Sequence, residues 1–84
     1  MFTYHFHTRI CDWWISYRPE LGRWLLSWGD VPGSEISGSY GNPVAAASDV
    51  DSQVTGNYDW DSLPYEAIPP NISNIREWVK CPPR

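Results

Sequence analysis

The sequence predicts an α+β fold, a short antiparallel β-meander followed by a long acidic segment and one C-terminal helix. Three observations carry this expectation. Residues 2–11 alternate apolar and polar side chains, residues 12–28 hold two β-rich runs around a Pro-Gly turn, and residues 71–81 repeat apolar side chains at helical spacing. A chain of 84 residues fits one domain, 1–84, divided into a meander (2–28), an acidic Gly/Pro-rich crossover (29–70) and the helix (71–81). Small domains bury a modest share of their surface, and six tryptophans offset that deficit here.

The first strand is expected over 2–10, with Phe2, Tyr4, Phe6 and Ile10 on one face and His5, His7 and Arg9 on the other. Strands over 12–18 and 23–28 follow, joined by a four-residue turn, Pro19 to Gly22. Proline presets φ for the turn, and glycine accepts a positive φ at its exit. That register sets Trp13 against Trp28, Ile15 against Leu26 and Tyr17 against Trp24, all on one face. The opposite face then holds Trp14, Ser16, Arg18, Arg23, Leu25 and Ser27. A single helix through the same residues would enclose Pro19 and Gly22, at roughly 4 kcal/mol. The string formed by Tyr17, Pro19, Gly22, Arg23 and Trp24 resembles the strand-turn-strand unit of Rhs/YD-type repeats, without the usual acidic residue before the proline. The resemblance covers eight residues and implies a hairpin at this point.

Between Gly29 and Pro70 the chain is punctuated by Pro32-Gly33, Gly41-Asn42-Pro43, Gly56-Asn57 and Pro69-Pro70, which reads as loop with one or two short elements. Residues 44–47 are expected to form a helical turn, and residues 54–60 a short strand. The C-terminal helix would be capped by Asn71 or Ser73 and stopped at Cys81 by Pro82. The expected core is Phe2, Tyr4, Phe6, Ile10, Trp13, Ile15, Tyr17, Trp24, Leu26, Trp28, Ile75, Trp78 and Val79.

Charge narrows the functional classes. The net charge is −4, but residues 29–70 hold Asp30, Glu35, Asp49, Asp51, Asp59, Asp61 and Glu66 with no lysine or arginine. Direct nucleic-acid binding needs clustered basic residues to displace phosphate counterions, and no such cluster exists. No apolar run approaches the ~20 residues of a membrane span, and the N-terminal residues lack a signal-peptide apolar core. A cytoplasmic protein is expected, with Cys11 and Cys81 read as free thiols.

No catalytic site or cofactor is expected. His5, His7, Cys11 and Cys81 match no standard zinc spacing. Asp49 and Asp51 begin a calcium-loop pattern that fails at Val54 and Trp60, where glycine and glutamate are required. Nucleophile-elbow, phosphate-loop and dinucleotide motifs are absent.

The acidic segment with its aromatics stands out as a partner-binding surface: Asp49, Asp51, Tyr58, Asp59, Trp60, Asp61, Tyr65 and Glu66. Tyrosine and tryptophan dominate binding hot spots, and carboxylates around them orient association with a basic protein partner. The expectation is a non-enzymatic inhibitor or adaptor that fills a basic, nucleic-acid-binding site on a protein. Its profile is similar to that of phage anti-defence factors and DNA mimics. Two alternatives stay open: an accessory subunit of a larger assembly, and a carbohydrate-binding module stacking sugars on Trp14 or Trp60.

Overall fold

A computed structural model describes residues 2–82; Met1, Pro83 and Arg84 lie outside the described residues. The class is α+β. Five strands, β1 (Thr3–His7), β2 (Asp12–Arg18), β3 (Arg23–Trp28), β4 (Glu35–Tyr40) and β5 (Val79–Cys81), form one antiparallel sheet in the order β4-β3-β2-β1-β5. Between β4 and β5 run helix α1 (Pro43–Asp51), the single turn α2 (Tyr58–Asp61) and 3-10 turns at Tyr65–Ala67 and Ile75–Glu77.

The β2–β3 hairpin has the expected register, with Trp13 opposite Trp28, Ile15 opposite Leu26 and Tyr17 opposite Trp24. Its turn is residues 19–22, and Gly22 takes φ +62, a conformation that penalises any side chain. Because side chains alternate along a strand, this one register sends every large ring of the hairpin except Trp14 to the same face. β1 adds Tyr4 opposite Ile15 and Phe6 opposite Trp13.

α1 covers that face. Asn42 caps it by accepting from the Ala45 backbone N–H at 2.8 Å, and Pro43 occupies its first turn, where a missing N–H costs nothing. Ala46, Ala47 and Val50 are buried, and such small side chains let the helix lie close to the sheet. Gly38 of β4 leaves room for the Tyr40 ring, since a Cβ there would stand 3.3 Å from its Cε1. On the opposite face the β3–β4 connection folds over β3. Gly33 N–H donates to Ser27 Oγ at 2.9 Å, and the Trp14 indole donates to the Gly29 carbonyl at 2.8 Å.

Several expectations are corrected. The first strand stops at His7, because Thr8 Oγ donates to the Cys11 carbonyl and accepts from the Ile10 and Cys11 amides, which closes a turn. The segment expected to be mostly loop contains β4, which sequence reading missed, and a full helix at Pro43–Asp51 in place of one turn. Residues 54–60 form no strand, since Gln53 and Gly56 take positive φ and Asn57 caps α2.

The expected C-terminal helix is replaced by turns and β5. Asn71 sits at φ +67, Asn74 caps a 3-10 turn, and Trp78 is extended. An isolated helix this short is marginal in water. Pairing Thr3 with Cys81, Tyr4 with Lys80 and His5 with Val79 instead covers the open edge of β1.

The core changes accordingly. Phe2, Ile10 and Val79 are exposed, while Ala46, Ala47, Val50, Trp60, Ile68 and Ile72 join Trp13, Ile15, Leu26 and Trp78 inside. Trp60 meets Trp13 edge-on, with centroids 5.4 Å apart, and its Nε1–H donates to the Val50 carbonyl at 2.8 Å. Trp78 meets Phe6 in the same manner and donates to the Ile72 carbonyl. Trp60→Ala should therefore cost about 3–5 kcal/mol in a urea titration, whereas Tyr58→Ala, two residues away and exposed, should stay within about 0.5 kcal/mol.

Candidate functional site

The expected binding segment is folded into a small unit at the C-terminal end of α1. Gln53 leaves the helix and donates through its side-chain amide to the Trp60 and Leu63 carbonyls, at 3.0 and 2.7 Å. Asp61 accepts from the Thr55 amide and hydroxyl and from the Gly56 amide, all within 3.1 Å. Tyr65 donates to the Asp51 carboxylate at 3.1 Å, joining the 3-10 turn to α1.

These bonds sort the expected site residues. Trp60 is 1% exposed and belongs to the core, so it is removed from the contact surface and cannot serve as a sugar platform. Asp61 is spent on the 55–56 backbone. Asp49 is half-buried and accepts from the Tyr40 hydroxyl at 2.8 Å. Tyr58, Asp59, Tyr65 and Glu66 are exposed, and Asp51 lies beside Tyr65. Trp14, the other expected sugar platform, stacks on His5 at 4.0 Å and 13°, which covers one of its faces.

The charges are balanced in an unusual way. Asp49 and Asp51 lie in the last turn of α1, where the helix dipole disfavours anions and no basic residue compensates. Neutral hydroxyls supply the donors instead. Among the described residues Arg18 pairs with Glu20 and the His5 and His7 imidazoles contact Asp12, and none of these reaches a carboxylate between Asp30 and Glu66. Burial and then the Asp49 contact push the Tyr40 phenol up to about 12. The Tyr65 phenol is also raised, chiefly by its bond to Asp51.

A second polar cluster lies on the far face of the sheet. One oxygen of Asp12 accepts from His7 Nδ1 at 2.7 Å and from His5 Nε2 at 3.0 Å. An ionised carboxylate only accepts, so both ring nitrogens carry protons. The bonds from His7 and His5 hold Asp12 below the usual carboxylate range. Sequence reading missed this cluster; the signal was available in the pairing of His7 with Asp12 across a short turn.

The four His and Cys side chains do not converge. Cys81 pairs opposite Thr3 while Cys11 lies past the other end of β1, roughly 16 Å away at strand spacing. No group of three His, Cys, Asp or Glu suited to a metal ion occurs among the described residues. Burial, reinforced by Asp12, pushes the Cys11 thiol up to about 11, so it stays protonated and a poor nucleophile at neutral pH.

No family model, curated protein or solved structure matches the chain. Among the described residues, no helix is long and apolar enough to cross a membrane.

Two measurements test this arrangement. Asp61→Ala leaves the Thr55 and Gly56 amides without their acceptor and should cost about 1–3 kcal/mol in denaturant. Tyr40 holds its proton more tightly folded than unfolded, where tyrosine titrates near ~10. Its contribution is therefore complete below that pH and is lost as pH rises toward about 12. Tyr40→Phe should flatten the fall of stability with pH across that window.

Proposed function

We propose that the protein is a non-enzymatic inhibitor or adaptor acting in the cytoplasm, whose anionic face occupies a basic site on a protein partner. The observation that carries this reading is a set of carboxylates left without cationic partners, with exposed tyrosines among them. Tyr58 is 81% and Tyr65 61% exposed on the segment that carries Asp59 and Glu66. Exposed tyrosine contributes large contact area with few rotors, the feature that enriches it at binding hot spots.

Asp51, Tyr58, Asp59, Tyr65 and Glu66 form the proposed contact set. Its carboxylates would steer a basic partner by long-range attraction, and the tyrosines would supply short-range contact. The internal bonds of Gln53 and Asp61 favour the reading further, because a preordered surface loses less entropy on binding. A partner groove that normally holds nucleic acid has the matching charge, the logic of a DNA mimic or a phage anti-defence factor.

Asp59→Lys combined with Glu66→Lys reverses the free charges and leaves Asp61 and Trp60 untouched. Used as bait in the source organism's lysate, the wild-type protein should retain a basic partner that salt releases. The double variant, with an unchanged urea midpoint, should lose it. Equal retention by both baits would refute this surface.

A further inference from the structure

A cleft of about 530 Å³ opens between the β1–β2 turn and the chain from Trp60 to Pro69. Its size falls within the range of ~300–1,000 Å³ typical of small-molecule sites. Phe6, Ile10 and Leu63 give it apolar walls over the buried Trp60, and the turn adds the Arg9 guanidinium and the His7 imidazole. None of the chain's ten carboxylates lines it. Arg9 is the one permanently charged side chain in that lining.

The walls are built before any ligand arrives. Thr8 Oγ makes three bonds inside the turn that carries Arg9 and Ile10, and the Trp60 indole is tied to the Val50 carbonyl. Asp12 holds His7 through Nδ1 at 2.7 Å, which fixes that side of the turn. Arg9 makes no ion pair and no side-chain hydrogen bond among the described residues. Ile10 is 46% exposed at the cleft, a position where apolar cover from a ligand would be favourable.

From this juxtaposition we propose that the cleft binds a small apolar monocarboxylate. Its ring or alkyl body would lie against Phe6, Ile10 and Leu63, with the acid group on the Arg9 guanidinium. An arginine fork matches a carboxylate in two parallel hydrogen bonds. The lining supplies one cationic anchor, Arg9, which suits a single charge, and the protein's negative field disfavours a dianion. The site is separate from the contact set Asp51, Tyr58, Asp59, Tyr65 and Glu66, and does not depend on it.

The test uses 2-naphthoate and its neutral counterpart 2-naphthalenemethanol, titrated into the whole protein and followed by two-dimensional ¹H–¹⁵N NMR. Naphthoate should shift the amides of residues 7–10 and the Trp60 indole N–H, and bind about tenfold more tightly than the alcohol. Arg9→Gln, an exposed change, should erase that difference while the alcohol still binds. Ala67→Phe, which narrows the cleft, should weaken both ligands. Equal affinity of acid and alcohol for the wild-type protein would overturn the proposal, as would shifts that map away from the cleft. Absence of any localised shift would do the same.

Discussion

The arrangement depends on one side chain entering the sheet's covered face. Trp60 stands on a single helical turn, in a stretch with little regular structure, and places its ring edge against Trp13. Its indole proton finds the Val50 carbonyl near the end of α1, so one residue joins α1, α2 and the sheet. Trp13 is itself buried between Trp28 and Trp60, and its Nε1 has no hydrogen-bond partner among the described residues. An unmade bond of that kind costs about 1–3 kcal/mol. Edge-on contacts with two neighbouring rings offset part of that cost.

With Trp60 anchored, the anionic segment is ordered by donors that carry no charge. Tyr40 serves Asp49, Tyr65 serves Asp51, and Thr55 with two backbone amides serves Asp61. An arginine in any of these places would have cancelled the charge while satisfying the oxygen. Hydroxyls and amides satisfy the oxygen and leave the charge standing. The fold thus keeps its core beneath carboxylates that no cation pairs with among the described residues, and the donors that could have served them bond elsewhere. His5 and His7 are committed to Asp12, Arg18 to Glu20, and Arg23 to the Ser39 hydroxyl and carbonyl.

What could be read from the sequence follows from the range of the forces involved. The β2–β3 register was legible because side-chain parity and a Pro-Gly turn are local, and one pairing sorted the hairpin's residues onto two faces. β4 was not legible: Glu35–Tyr40 is half serine and glycine, and its strand state rests on pairing with β3. Ile72, Ile75, Trp78 and Val79 mimic a helical stripe, yet Ile72 and Trp78 are buried while Val79 is exposed on an edge strand. The acidic character of residues 29–70 could be counted directly. Which carboxylates stay free could not, because that depends on distant hydroxyls such as Tyr40. Trp60, an interface residue by composition, became core through the same long-range packing.

The central claim is that Trp60 ties the acidic half of the chain to the sheet, and its indole N–H reports on that claim directly. Hydrogen exchange at this site, followed by NMR in the native protein, should proceed only through global unfolding. Its protection should match that of the slowest β2 and β3 amides and fall with them as urea is added. Exchange at rates typical of a local opening, with the sheet still protected, would show that residues 52–69 are held independently of the core and would contradict the account.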